Sequence, residues 1–80
     1  MIKKQVGNRI KELRLKRNIS QEKCAFNANI DRSYLASVEN GNRNISIVNL
    51  NKICKSFNIT LTEFFDSNIF IDDIKDDETR

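Results

Sequence analysis

The chain has 80 residues, a net charge of +3, and no proline, tryptophan or histidine. This length fits a single small domain, and no apolar run is long enough to cross a membrane. The absence of histidine, of a nucleotide-binding loop and of a paired-carboxylate site argues against an enzyme. Two cysteines without a histidine make no metal pattern, so we expect neither a metal nor a cofactor.

Cys24 and Cys54 fall at apolar positions of predicted helices. Free cysteines at such positions are ordinarily small core residues, and a redox sensor and a disulfide are the alternatives. The N-terminus has no apolar stretch after its lysines, so it does not have the pattern of a signal peptide. We therefore expect a cytoplasmic location.

Charge is distributed unevenly along the chain. Residues 1–59 hold 12 Lys and Arg against 4 Asp and Glu, a net charge of +8, whereas residues 60–80 hold 2 against 7, a net charge of −5. A basic body suits a polyanion such as DNA, and an acidic tail is repelled from the same polyanion. We expect the tail to lie away from the DNA. An ordinary solvated surface is the alternative explanation.

An Asn-Ile pair followed by a helix-capping residue occurs four times. Asn readily adopts the left-handed conformation that ends a helix, and Ser, Asp or Thr accepts hydrogen bonds from the free N–H groups that begin one. In each copy an apolar residue follows four positions after the cap, which is the hydrophobic-staple spacing. The four copies are Asn18-Ile19-Ser20, Asn29-Ile30-Asp31, Asn44-Ile45-Ser46 and Asn58-Ile59-Thr60.

A first helix is predicted over residues 5–17, where Val6, Ile10 and Leu13 form one apolar stripe. Its basic side chains are expected on the other faces, where they would supply affinity for DNA phosphates. These side chains are Arg9, Lys11, Arg14, Lys16 and Arg17. Asn18 is predicted to end the helix.

The second and third helices are predicted to be short and to be separated by only three residues. Helix 2 begins at the Ser20 cap, ends near Ala28 and turns its small residues inward. Helix 3 is predicted over residues 32–40, with Asp31 as its cap and Gly41 just past its end. Its inward residues are Leu35 and Val38.

A fourth helix is predicted after the Ser46 cap, and a fifth begins at the capping box formed by Thr60 and Glu63. The apolar stripe of helix 4 consists of Ile47, Leu50, Ile53, Cys54 and Phe57. The segment after Asp66 is apolar among acidic residues, and a strand, a short helix and a frayed tail all fit it. We divide the chain into a DNA-binding domain, residues 1–66, and an acidic C-terminal tail, residues 67–80.

The short turn at residues 29–31 points to a function. Such a turn forces two short helices to cross steeply, and Ala25 is small enough to let their axes approach. This is the helix-turn-helix arrangement, in which the second helix enters the DNA major groove. The outward face of helix 3 carries Arg32, which matches the hydrogen-bond acceptors of guanine, and small polar residues that suit any base edge.

The residues predicted to contact DNA lie on helix 3, at the start of helix 2 and in the loop after helix 3. The opening of helix 2 suits a phosphate, and the loop suits either the backbone or a base edge. The predicted set is Gln21, Arg32, Ser33, Tyr34, Ser37, Asn42, Arg43 and Asn44. For each of these side chains, simple solvation or cover of the core is the alternative.

Residues 6–65 resemble the Xre/phage-repressor class of helix-turn-helix proteins. The motifs that carry the resemblance begin at Arg9-Ile10-Lys11-Glu12-Leu13, Ser20-Gln21-Glu22 and Ile30-Asp31-Arg32-Ser33-Tyr34-Leu35. The resemblance implies an all-α, five-helix lambda-repressor-like DNA-binding domain. The third motif, followed by Asn42-Arg43-Asn44-Ile45-Ser46, is similar to controller proteins of restriction–modification systems.

The controller resemblance implies a homodimeric transcription factor that binds palindromic operators. The same resemblance also implies activation of the endonuclease gene at low occupancy of the operator and repression at high occupancy. We expect two copies of helix 3 about 34 Å apart, one DNA turn. The dimer contact is predicted to be formed by Leu61, Phe64, Phe65, Ile69, Phe70, Ile71 and Ile74.

Glu22, at the exposed first turn of helix 2, matches an activating position in related phage repressors. The resemblance therefore implies a contact with RNA polymerase. The alternative function within the same class is a phage or mobile-element repressor, or an antitoxin-type regulator whose residues 69–74 hold a different protein.

Overall fold

Five α-helices and one short 3₁₀ helix make up the described part of the chain, residues 1–71, in this computed structural model. No strand occurs within these residues. The helices are α1 (Ile2–Lys16), α2 (Gln21–Ala28), α3 (Arg32–Glu39), α4 (Ile47–Ser56) and α5 (Leu61–Phe65), followed by the 3₁₀ helix (Asn68–Phe70). The predicted all-α, five-helix fold is confirmed.

The helices end where the sequence predicted left-handed residues. Asn18, Asn29 and Asn58 have φ angles of 55°, 58° and 60°, and Gly41 has a φ angle of 79°. Asn44 has no positive φ, since Gly41 has already ended α3. After Asn29, for example, the Ile30 N–H donates back to the Ala25 carbonyl at 2.9 Å. This bond satisfies one of the carbonyls that a helix end leaves unpaired.

Three of the four predicted helix caps form. The Ser20 and Ser46 hydroxyls accept from the backbone N–H groups of Lys23 and Asn49, each at 3.0 Å. Thr60 and Glu63 form the predicted capping box. The prediction for Asp31 is wrong in one respect: its backbone has the extended cap conformation, but its side chain makes no cap hydrogen bond.

The core lies where α1, α2, α3, α4 and α5 meet, and the four staple isoleucines pack against its edge. Gly7 marks the closest approach of α1 to α3. A Cβ atom on Gly7 would overlap the Val38 carbonyl oxygen and lie 2.9 Å from that of Glu39. The crossing of α1 and α3 therefore depends on a residue without a side chain.

The structure corrects two predictions about helix boundaries and faces. The first helix begins at Ile2, three residues earlier than predicted, because residues 2–4 continue the helix without any capping side chain to mark its start. Ile47 was placed on the inward stripe of helix 4 but is exposed. It lies in the first turn of α4, beyond the end of the packed core.

Residues 68–70 adopt the short-helix alternative and pack against α1. The Gln5 side-chain amide donates to the Ile69 carbonyl at 2.8 Å, and Phe70 is half-buried against the core.

Phe64 is completely buried in the monomer, so it cannot touch a partner chain directly, and its assignment to the dimer contact is corrected. Ile74 lies outside the described residues. None of the helices in residues 1–71 has the length and apolar character needed to span a bilayer.

Candidate nucleic-acid interface

The interface is built on α2 and α3, which are joined by the turn at Asn29. Ala25 and Ala28, two small residues of α2, are both buried. Leu35 and Val38 are buried on the opposing side. The left-handed Asn29 joins the two helices, as the spacing predicted, and small residues allow their axes to approach.

The outward face of α3 is accessible. Arg32 and Ser33, in its first turn, are exposed, and Ser37, one turn later, is half-buried. A slim helix end with an arginine and a serine at its tip fits a major groove about 12 Å wide. Asp31 is exposed beside Arg32, with its carboxylate outside any cap hydrogen bond.

The loop after α3 extends this surface toward the start of α1. Asn42, Arg43 and Asn44 are all exposed. A shallow groove brings Arg43 and Asn44 beside Ile2 and Lys3 of α1. The loop and the N-terminal lysine therefore place positive charge on the same side of the molecule.

Tyr34 and Arg43 contact each other directly. The Arg43 guanidinium carbon lies 5.0 Å from the centroid of the Tyr34 ring, within the range of a cation–π interaction. The Tyr34 hydroxyl accepts from the Asn49 side-chain amide at 3.2 Å and from the Ser46 backbone N–H at 3.4 Å. Tyr34 thus links α3, the loop and the start of α4.

Gln21 lies at the start of α2, as predicted, and its side chain has a partner within the protein. Its side-chain amide donates to Glu39 Oε1 at 3.0 Å, so the side chain turns inward in the free protein. The Arg14 guanidinium also binds this carboxylate, donating from Nε to Oε2 at 2.8 Å and from Nη2 to Oε1 at 3.0 Å. This bond to Glu39 raises the pKa of Arg14. A phosphate contact by Gln21 stays a prediction.

The basic side chains of the first helix are predicted on its faces away from the apolar stripe, where DNA phosphates could reach them, and for Arg9 and Arg14 the structure corrects this expectation. Arg14 is buried with Glu39, and Arg9 is buried and donates to the carbonyls of Glu63 and Phe64 at 2.9 and 2.7 Å. Arg17, just past the end of α1, stays exposed and donates to the Phe57 carbonyl at 3.1 Å. Arg9 and Arg17 thereby satisfy the last carbonyls of α5 and α4. Lys11 and Lys16 remain exposed on α1.

The chain matches the helix-turn-helix family model over residues 10–64. It is 49% identical over 65 residues to the control protein C.MunI of Mycoplasma sp, covering 80% of this chain and 88% of that protein. The crystal structure of the restriction–modification controller protein C.AhdI from Aeromonas hydrophila is 41% identical. It covers 79% of this chain and 96% of that one, with a TM-score of 0.76.

A second similar structure is that of the restriction–modification controller protein C.Esp1396I, solved as a tetramer in complex with its natural 35 base-pair operator. It is 32% identical, covers 81% of this chain and 86% of that one, and has a TM-score of 0.77. The fold and the exposed α3 define a helix-turn-helix DNA-binding transcription regulator. The chain belongs to the family of restriction–modification controller proteins.

Proposed function

We propose that this protein binds a palindromic operator as a homodimer and regulates its own gene and that of the associated endonuclease. The observation that carries the proposal is the exposed first turn of α3, held in place by the left-handed turn at Asn29. Each copy of α3 would enter the major groove of one half-site. This role requires no catalysis, and it places the protein in the cytoplasm with the operator.

Arg32 is proposed as the main base-reading residue. It is exposed at the tip of α3, and its guanidinium matches the O6 and N7 atoms of guanine. Ser33 and Ser37 lie along the same helix and suit neighbouring base edges. The loop residues Asn42, Arg43 and Asn44, together with Tyr34, would contact the backbone or the adjacent bases.

The second half of the proposal is the dimer contact. Phe65 is 41% exposed and Ile71 75% exposed, and the Phe65 ring packs 4.9 Å from that of Phe70. With Leu61 and Ile69, these residues form an apolar surface at the end of the described chain. We call this set the C-terminal apolar patch. A second copy of the chain would cover it, since a palindrome requires two equivalent readers.

DNase footprinting on the DNA upstream of the gene tests the proposed function. A protected palindrome is expected, and its affinity should fall steeply with salt as counterions are released. Arg32→Ala should weaken operator binding by about 1–3 kcal/mol and relax base preference at one position of each half-site.

Lys55→Ala is the matched control, because it removes an exposed cation near the C-terminal end of α4, on a different helix from Arg32. It should leave base preference unchanged. Equal loss of operator and random DNA binding in Arg32→Ala would make Arg32 a phosphate contact. A protein with no preference for any upstream sequence would refute the proposed function itself.

We also propose that activation uses Glu22, which is exposed in the first turn of α2. A carboxylate there is available to a basic surface of RNA polymerase bound alongside. Glu22→Lys is expected to bind the operator with unchanged or higher affinity, because it adds positive charge near DNA, and to abolish activation in a transcription assay. Lys23→Ala, at the neighbouring exposed position, is the control, and retained activation in Glu22→Lys would remove this contact.

A further inference from the structure

The start of α4 forms hydrogen bonds to the Tyr34 side chain of α3, and the capping of α4 does not require these bonds. Asn49 occupies the third position of α4, where its backbone N–H donates to the Ser46 hydroxyl. At the same position of α5, the Glu63 side chain reaches back to the Thr60 backbone and completes a capping box. The Asn49 side chain instead donates to the Tyr34 hydroxyl at 3.2 Å.

The same Tyr34 hydroxyl also accepts from the Ser46 backbone N–H. Two donors from α4 therefore bind one oxygen, which has two lone pairs to receive them. Both donors belong to the well-anchored first turn of α4, whose Leu50 is buried in the core. These bonds fix the position of the Tyr34 hydroxyl, and with it the long axis of the ring, relative to α4.

The face of this ring carries the Arg43 guanidinium, 5.0 Å from its centroid. Arg43 is exposed in a loop, and a free arginine side chain there would sample many rotamers. Contact with a fixed ring restricts that sampling before any DNA is bound. Such pre-organisation lowers the entropy that is lost on binding and favours one geometry of contact.

We propose that Asn49 is a positioning residue for DNA readout, which acts through the Tyr34 ring to hold Arg43 in the orientation that reads one base-pair position. This inference rests on the proposed function, because it requires Arg43 to reach the operator. Arg32, on the first turn of α3, reads its own base independently of Asn49. Loss of the Asn49 bond therefore affects base preference at the Arg43 position only.

The test measures dissociation constants for the operator, for operators with single base pairs replaced, and for random DNA. The proteins are the wild type, Arg43→Ala, Asn49→Ala, Tyr34→Phe and the double variant Asn49→Ala/Tyr34→Phe. Tyr34→Phe keeps the ring but removes the oxygen that Asn49 binds. Asn51→Ala is the matched control, since it changes the same residue type on another face of α4.

We expect Arg43→Ala to abolish discrimination at one base-pair position of each half-site. Asn49→Ala and Tyr34→Phe should each reduce discrimination at that same position by about two- to fivefold, the size expected from a weakened cation–π contact. The double variant should be no worse than Tyr34→Phe, since loss of the hydroxyl already removes the bond that Asn49→Ala removes. The affinity of Asn49→Ala for random DNA should equal that of the wild type, and Asn51→Ala should keep the wild-type base preference at every position.

Discrimination is a ratio of two affinities of one sample, so partial unfolding of a variant cancels from it. The proposal is overturned if Asn49→Ala weakens all operators equally, if it changes a position that Arg43→Ala leaves unchanged, or if Arg43→Ala alters no position. A wild-type protein without operator preference would instead refute the proposed function. If the wild type has base preference and Asn49→Ala keeps it unchanged at every position, the positioning role of Asn49 is refuted but the proposed function is not.

Discussion

Cys24 shows what burial does to a single ionisable side chain. It is fully buried near the Arg14–Glu39 pair, and burial raises the pKa of its thiol to about 11, with Glu39 adding to the rise and Arg14 opposing it. Burial also raises the pKa of Cys54. Both thiols are therefore protonated and unreactive at neutral pH, in line with their predicted role as core residues.

The Cys24 pKa makes a prediction about stability in alkali. The unfolded thiol, with its ordinary pKa of 9.0, loses its proton before the folded one, so alkali favours the unfolded chain. The contribution is fully present below pH 9 and disappears as pH rises toward 11. Between about pH 8 and about pH 10.5 the wild type should lose about 2 kcal/mol more than Cys24→Ala.

Urea unfolding of both proteins at the two pH values measures this difference. The comparison isolates Cys24, because Cys54 and the lysines are common to both chains. Any cavity left by the alanine lowers stability equally at both pH values and so cancels. A pH-independent difference between the two proteins would show that the Cys24 pKa is not raised.

At the scale of elements, Gly7 decides how closely α1 approaches α3. An alanine in place of an exposed glycine within a helix stabilises it by about 1 kcal/mol. At Gly7 the added methyl group meets the Val38 and Glu39 carbonyl oxygens, which belong to backbone and cannot turn aside. Gly7→Ala should therefore destabilise the protein, by about 1–3 kcal/mol as for other overpacked sites.

Thermal or urea unfolding checks this sign. Asn8→Ala is the control, because Asn8 is exposed on the same helix and alanine has the higher helix propensity. It should be neutral or slightly stabilising. If Gly7→Ala matched it, the contact of α1 with α3 would have to be looser than the structure shows.

The ends of the helices could be predicted from the sequence, whereas the burial of one arginine could not. Helix ends were predictable because their signals are local. The left-handed turns at Asn18, Asn29 and Asn58 bring nearby backbone N–H groups back to the last carbonyls of each helix. The burial of Arg14 was not predictable, since its partner Glu39 is 25 positions away. Apolar periodicity identifies the buried face of a helix, but it does not show which arginine forms an ion pair with a carboxylate far away in the sequence.

In the candidate site, sequence reasoning named the exposed tip of α3 and the loop after it, and the structure places those residues as accessible side chains. It did not find Asn49, because an asparagine in the first turn of a helix carries no signal of a partner on another helix. It also did not find that the Gln21 side chain donates to Glu39 in the free protein. Long-range hydrogen bonds account for both differences.

For the whole molecule, the C-terminal apolar patch predicts the state of association. Phe65→Asp places a charge where a second copy would bury it, which is costly without a partner for that charge. The variant should be monomeric by analytical ultracentrifugation and should bind the full operator more weakly. Its fold should persist, because Phe65 is 41% exposed in the monomer.

Phe26→Asp is the matched control, since it places the same charge on an exposed phenylalanine of α2. It should sediment like the wild type. The patch is not the dimer contact if Phe65→Asp remains a dimer, or if Phe26→Asp dissociates to the same degree.

Tyr34 is the only tyrosine in a chain without tryptophan. Its ring touches Arg43, and its hydroxyl is bound by the start of α4. The intrinsic fluorescence of the protein therefore comes from this one position on the recognition helix. Without any label, its intensity reports whether the guanidinium stacks on the ring and whether the hydroxyl keeps its donors. The protein thus carries its own optical probe at the surface proposed to contact DNA.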